Sequence, residues 1–278
     1  WAHRIWPGRV RDPIFIVGGP RSGTTIRGRI LAQQLGLLYL NEPRSIWCQV
    51  RPELDVYRWR YPISQGTLCL DAADLDASEA RQLSHWFHLE VFTSLCHRLV
   101  EKTPRNVFRM RWLDAMFPDA KFIHVIRHGR DVALSLEAAI RGWWPEGYWE
   151  SSRMYGLFRD YAAEHPHVWE KLGYISESMD NYPRALLVWL CSVTEGRRAG
   201  TKLGQPKYLE LRYEDLILRP EQQLSRLHRF ISEPLDQPVL DYARQVLHSD
   251  SVRKRDPAPH LTQVIAGDLL RELDKEVR

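Results

Sequence analysis

Arginine, glycine and hydroxyl residues are concentrated in two short stretches of this chain. The first is Ile14-Phe15-Ile16-Val17-Gly18-Gly19-Pro20-Arg21-Ser22-Gly23-Thr24-Thr25. The second runs from Phe122 through Ile126-Arg127-His128-Gly129-Arg130-Asp131 to Ser135. Each begins as an apolar run of strand type and ends in a polar turn. A strand that feeds a glycine-rich turn and then a helix presents backbone N–H groups to an anion. Two such turns on one chain suit a ligand with two separated phosphate groups.

The first turn departs from a Walker A loop in an informative way. That loop reads G-x-x-x-x-G-K-[ST]. Gly18 and Gly23 keep the spacing and Thr25 takes the Ser/Thr place, but Thr24 stands where lysine belongs. The cation sits instead at Arg21, inside the loop. A nucleoside triphosphate needs the lysine on its terminal phosphates and Mg²⁺ on the next hydroxyl. A 5′-phosphate linked to another anionic group does not: Arg21 would meet the group beyond that phosphate, and Thr24 and Thr25 would donate to it from the helix start. In the second stretch, a strand ending near Arg127 and a helix starting near Asp131 let Ser135 share an anion with Arg127, a combination of guanidinium and hydroxyl suited to phosphate.

These segments resemble those of the sulfotransferases that use 3′-phosphoadenosine-5′-phosphosulfate (PAPS). Gly19-Pro20-Arg21-Ser22-Gly23-Thr24-Thr25 is similar to their 5′-phosphosulfate loop, in the arginine form of the tyrosylprotein and many bacterial members. Ile126-Arg127 through Ser135 is similar to their 3′-phosphate motif. Leu211-Arg212-Tyr213-Glu214-Asp215-Leu216, followed by Pro220-Glu221, resembles a third family segment. The likeness runs in order from about Pro13 to about Lys254.

The resemblance implies roles. Pro20 to Thr25 would hold the phosphosulfate, Arg127 and Ser135 the 3′-phosphate, and Tyr213 would lie near the nucleotide. Glu42, in Asn41-Glu42-Pro43-Arg44, matches the segment that carries the catalytic glutamate of the tyrosylprotein enzymes, and a carboxylate there would take the acceptor's proton. The competing reading of Glu42 is a turn residue paired with Arg44. Lys102, in Glu101-Lys102-Thr103-Pro104-Arg105, resembles the family lysine beside the sulfuryl group, and Pro104 keeps the segment extended; the competing reading is a solvated lysine. Arg21 and Lys102 would stabilise the transferring group. Ser251 resembles a late serine that donates to sulfuryl or phosphate, and Arg253 and Lys254 would close over the 3′-phosphate; Arg253-Lys254-Arg255 also reads as a solvated basic face. His124 reads as a packed core histidine and His128 as a turn residue. The chemistry needs no metal, and no metal-ligand spacing is present.

The scaffold these groups require is an α/β domain. The 278 residues, 44% hydrophobic and 27% charged, suit a single domain over 1–278 with a sizeable core. The expected fold class is a P-loop-like parallel sheet flanked by helices. Strands are expected at Pro13–Val17, Leu37–Leu40, Lys121–Ile126 and Tyr208–Arg212. Helices are expected at Thr24–Leu35, Asp76–Leu99, Asn106–Phe117, Asp131–Arg141, Asn181–Gly200 and Pro220–Ile231, with Val50–Ala73 irregular. About 142–180 stands out for Trp143, Trp144, Tyr148, Trp149, Tyr155, Phe158, Tyr161 and Trp169. It reads as an insertion, either a helical, aromatic-rich acceptor region or a packed helical subdomain.

The net charge of +4 suits a field that draws in a polyanion, and no long basic block or nucleic-acid reader motif appears. Cys48, Cys69, Cys96 and Cys191 lack CxxC spacing and no Asn-x-Ser/Thr occurs, which leans towards a reducing, cytoplasmic setting. No apolar run reaches the ~18 residues of a membrane span. The first residue is Trp1 rather than Met, compatible with a processed or trimmed terminus. The expected activity is sulfuryl transfer to a hydroxyl or amine of a small molecule or glycan. A divergent P-loop kinase using ATP and Mg²⁺, or a module that only binds adenosine bisphosphate, are the alternatives. The absence of a Walker A lysine and of an obvious Walker B aspartate counts against the first; Glu42 and Lys102 count against the second.

Overall fold

The computed structural model describes residues 9–54, 66–142, 151–172, 181–247 and 256–275. Its centre is a five-stranded, all-parallel sheet in the order β2-β3-β1-β4-β5. The strands are β1 (Ile14–Gly18), β2 (Leu37–Asn41), β3 (Arg98–Lys102), β4 (Lys121–Ile126) and β5 (Tyr208–Arg212). All of β1 is buried, as expected of a central parallel strand with both faces covered. Its alternation feeds two cores. Phe15 and Val17 join Phe87, Trp112, Phe117 and Trp189 on one face. Ile14 and Ile16 join Ile30, Leu31, Leu224 and Ile231 on the other. Each such side chain removed from water contributes about 1.5–3 kcal/mol.

The helices between the strands are α1 (Thr24–Leu31), α2 (Arg44–Val50), α3 (Ala77–Thr93), α4 (Met110–Met116), α5 (Gly129–Gly142), α6 (Ser151–Ala163), α7 (Pro166–Leu172) and α8 (Asn181–Leu203). After β5 come α9 (Tyr213–Leu218), α10 (Pro220–Ile231), α11 (Gln237–Val246) and α12 (Pro259–Lys275). The strand order reverses at β1: β2 and β3 lie on one side, β4 and β5 on the other. A ligand in such a sheet sits beyond the carboxyl ends of the strands at this switch point.

Four strands and most helices fall where the sequence places them. The main correction concerns Asp76–Leu99. The helix starts at Ala77, capped by the Asp76 carboxylate accepting from the N–H groups of Ser78 and Glu79, and it stops at Thr93. Leu95 then takes a left-handed φ of 55°, and Arg98–Lys102 forms β3. This strand escapes sequence reading because Arg98, Glu101 and Lys102 break its apolar pattern, yet all five of its residues are buried. Helix α1 ends at Leu31 rather than Leu35, and 104–109 is a 3₁₀ turn that precedes α4. Helix α2 occupies a stretch with no sequence expectation of its own.

Within 142–180, Phe158, Tyr161, Ala162 and Val168 pack in the core. Phe158 and Tyr161 lie edge-on to Phe108, with ring centroids 5.7 and 5.3 Å away, and the Tyr161 hydroxyl donates to Glu195 at 3.1 Å. Trp143, Trp144, Tyr148 and Trp149, with the side chains of Tyr155 and Trp169, lie outside the described residues. No helix among the described residues is long and apolar enough to cross a membrane.

Candidate active site

The carboxyl ends of all five strands open into one cavity of about 450 Å³. Its wall includes Pro20, Arg21, Gly23, Thr24 and Thr25 after β1, Glu42 and Arg44 after β2, Thr103 and Arg105 after β3, Arg127 and Ser135 after β4, and Tyr213 after β5. Six arginines line it (Arg21, Arg29, Arg44, Arg105, Arg109 and Arg127) against one carboxylate, Glu42. Among the described residues the cavity is therefore strongly positive.

The loop after β1 is shaped by two residues with positive φ. Arg21 has φ 65° and Gly23 has φ 90°. Gly23 is required twice over: its φ disfavours a side chain, and a Cβ there would stand 2.3 Å from the ring of Tyr213. Tyr213 thus lies flat against the loop, and the guanidinium of Arg127 sits 4.7 Å above its ring centre. Arg21 donates through Nε to the Ser135 hydroxyl at 3.1 Å, so the β1 and β4 turns meet directly. Burial, and then the nearby charge of Arg127, lower the pKa of Arg21. Two cations held together at a half-buried site are relieved by an anion between them.

Ser22 differs from its neighbours. It is 1% exposed, outside the cavity wall, with its hydroxyl packed against Gly19 and its N–H given to the Gly19 carbonyl at 3.2 Å. It shapes the loop from beneath rather than facing the cavity. The β4 turn is fixed from behind. Trp189 Nε1 donates to the Arg127 carbonyl at 2.8 Å, and the His128 N–H donates to the Glu214 carboxylate at 2.8 Å. His124 is fully buried as expected; burial pushes it down to about 4, and its Nδ1 lies 2.7 Å from the Tyr208 hydroxyl.

On the other side of β1, Lys102 Nζ donates to Glu42 Oε1 at 2.5 Å. The lysine side chain is 1% exposed and the glutamate 39%, so the pair stacks a buried cation beneath an accessible carboxylate. Lys102 is not a solvated lysine. It reaches the cavity only through Glu42. Glu42 has a left-handed φ of 50°, its N–H donates to the Lys102 carbonyl at 2.8 Å, and its own carbonyl accepts from the Arg44 N–H at 2.7 Å. A non-glycine residue held in that conformation costs about 1–3 kcal/mol, a strain found where function over-determines the backbone.

Sequence reading missed Glu101, which is fully buried under the same wall and bonded to Trp47, Thr103 and Asn106. It also missed Arg109, whose guanidinium donates to the carbonyls of Thr67 and Leu68 and is pushed down to about 10 by burial. The available signal for Glu101 was its place one residue before Lys102 at the end of a strand, hidden because β3 itself was not recognised. Ser251, Arg253 and Lys254 lie outside the described residues. Among the described residues no group of three His, Cys, Asp or Glu side chains is placed to hold a metal ion.

The switch point of this parallel sheet thus gathers six arginines and one carboxylate, a site suited to an anionic ligand. The particular family follows from comparison: residues 13–237 match the model of the Sulfotransferase family, and the chain belongs to that family. It is 28% identical over 307 residues to omega-hydroxy-beta-dihydromenaquinone-9 sulfotransferase Stf3 of Mycobacterium bovis, with 90% of this chain and 72% of that protein covered. It is 22% identical over 244 residues to the protein-tyrosine sulfotransferase of Drosophila melanogaster, covering 86% of this chain and 42% of that protein. An uncharacterized protein of Aquifex aeolicus is 26% identical over 243 residues, 84% of this chain but only 27% of that protein. The chain thus spans less than half the length of these last two relatives. Among solved structures, the sulfotransferase domain from the curacin biosynthetic pathway superposes with a TM-score of 0.52 at 20% identity, covering 96% of this chain and 92% of that one. Sulfotransferase STF9 from Mycobacterium avium gives 0.52 at 15% identity, covering 94% and 76%. At such identities the likeness is one of fold.

Proposed function

We propose that this chain transfers the sulfuryl group of PAPS to a hydroxyl or amine of a small-molecule or glycan acceptor. The observation that carries the reading is the Lys102–Glu42 pair facing the Arg21 and Arg127 loops across one cavity. Arg127 and Ser135 hold the 3′-phosphate. Arg21, Thr24 and Thr25, on the turn shaped by Pro20, Ser22 and Gly23, hold the 5′-phosphosulfate. Tyr213 braces both. The residues fit such a group: two anion-binding turns meet through Arg21 and Ser135, and the crowding of Arg21 by Arg127 is relieved by an anion.

Sulfuryl transfer, like phosphoryl transfer, is mainly positioning and charge neutralisation. Glu42 accepts the acceptor's proton. Lys102 pairs with Glu42 from beneath and fixes its side chain, and Arg21 meets the negative charge that develops on the bridging oxygen. The role of Lys102 is accordingly exercised through Glu42, with direct contact to the sulfuryl oxygens only if that pair opens.

The test is thermal stability of the purified protein with 3′,5′-adenosine bisphosphate and, separately, with ATP and Mg²⁺. Saturation of a tight site raises stability by about 2–4 kcal/mol. A metal-independent shift with the bisphosphate is the expected result. A shift with ATP and Mg²⁺ alone would make the first loop a divergent P-loop and overturn the reading.

A further inference from the structure

Glu101 gathers three donors from separate positions around the acceptor-side wall. Trp47 Nε1 on α2 and the Thr103 hydroxyl both donate to Oε1, at 3.1 and 2.5 Å, and Asn106 Nδ2 donates to Oε2 at 3.1 Å. Burial pushes this carboxyl up to about 7. Above neutral pH it is therefore ionised and can only accept. A hydroxyl has one proton and two lone pairs. Thr103 has committed its proton to Glu101, so its hydroxyl oxygen has only lone pairs left to offer a ligand.

The place of that residue matters. Thr103 lines the cavity, and the peptide carbonyl joining Lys102 to Thr103 accepts the Glu42 N–H at 2.8 Å. Thr103 therefore stands beside the proposed base. The neighbouring Arg44 and Arg105 carry donors only. An acceptor molecule whose attacking oxygen gives its proton to Glu42 shares the cavity with the donors of Arg44 and Arg105 and with Thr103, whose hydroxyl is left to accept.

We propose that Thr103 is a specificity-determining residue whose hydroxyl, polarised by Glu101, accepts a hydrogen bond from a second O–H or N–H carried on, or adjacent to, the attacking oxygen. The inference rests on the sulfuryl-transfer reading above. It selects diols, amino alcohols and water over acceptors with a lone hydroxyl. In the step itself the acceptor O–H proton passes to Glu42 and the acceptor oxygen forms a new S–O bond. The S–O bond to the 5′-phosphate breaks, leaving its electron pair on the phosphate oxygen. Water is the smallest acceptor with a second O–H, and methanol the smallest without one.

The experiment gives the intact protein sulfur-radiolabelled PAPS above neutral pH in water containing methanol and measures inorganic sulfate against methyl sulfate. Thr103→Val is expected to shift the ratio towards methyl sulfate by about tenfold, the effect of one lost hydrogen bond. Thr103→Ser is expected to keep the unaltered ratio. The ratio is internal to each active molecule, so partial unfolding of a variant does not move it. An unchanged ratio in Thr103→Val, with both products formed, overturns the role of Thr103 and leaves sulfuryl transfer standing. Release of neither product by the unaltered protein overturns this inference, since water is then not an acceptor the site selects, while the sulfuryl-transfer reading stands or falls separately with the bisphosphate thermal shift.

Discussion

At the ends of β1 and β4 the cavity wall is a glycine turn, a tyrosine laid against it, the half-buried Arg21 and the buried Arg127. At the ends of β2 and β3 it is a glutamate in a left-handed backbone, with a buried lysine and a buried glutamate behind it. The first half works by presenting N–H groups and guanidinium groups whose positions the turn dictates. The second works by charge placed under the surface, where desolvation makes each group dependent on its partner. Anion binding should therefore survive damage to the second half, while chemistry should not.

The widest separation of the two halves is expected from Glu42→Gln. Turnover should fall by about 10²–10⁴, the usual contribution of a general base, while the thermal shift given by adenosine bisphosphate is retained. Turnover close to that of the unaltered protein would remove Glu42 from the chemistry. Arg127→Ala is the converse. Losing a charged hydrogen bond should weaken bisphosphate binding by about tenfold to a hundredfold in calorimetry. A smaller effect would mean that Arg127 serves Tyr213 and the turn rather than the ligand.

Stability offers the next contrast. Glu42→Ala leaves Lys102 charged, buried and unpaired, and should cost roughly 2–3 kcal/mol in urea unfolding, less than for a fully buried pair because Glu42 is accessible. Lys102→Met leaves Glu42 free to be hydrated and should cost about 1 kcal/mol or less. Equal losses would show that the pair is not stacked as described.

A further contrast lies in pH dependence and sharpens the role of Glu101. Its carboxyl is raised from 4.5 to about 7 by burial, so between those values the folded protein holds a proton the unfolded chain has lost, and stability falls as pH rises. His124 is lowered from 6.5 to about 4 by burial, so between those values the unfolded chain holds the extra proton, and stability falls as pH falls. The two slopes oppose one another where they overlap. Glu101→Gln removes one of them, and the difference in stability between the variant and the unaltered protein should change by up to about 1.4 kcal/mol per pH unit across that overlap. Parallel pH profiles would mean that Glu101 is not held neutral by the fold.

The same contrast explains what the sequence revealed. The β1 and β4 turns were legible because glycine, hydroxyl and arginine at fixed spacing state a backbone geometry, and because apolar runs mark the strands before them. Gly23 and Arg127 carry that signal almost unaided. Strand β3 was not legible: three of its five residues are charged, and only the tertiary packing that buries Arg98, Glu101 and Lys102 makes it a strand. Glu101 and Thr103 were missed with it, and Lys102 was located while its burial was not. Among the aromatic residues of 142–180, Phe158 and Tyr161 resolve in favour of packing, a matter that composition leaves open.

Glu42 and Lys102 are joined twice, through the backbone N–H to carbonyl bond and again through their side chains. With Glu42 as the base, every proton it captures cancels its charge and strands the lysine beneath it without a counter-ion. On the proposed reading the lysine would act as a return spring: transfer of the acceptor's proton to Glu42 would load it, and passage of that proton to solvent through the open cavity would restore the pair before the next acceptor arrives.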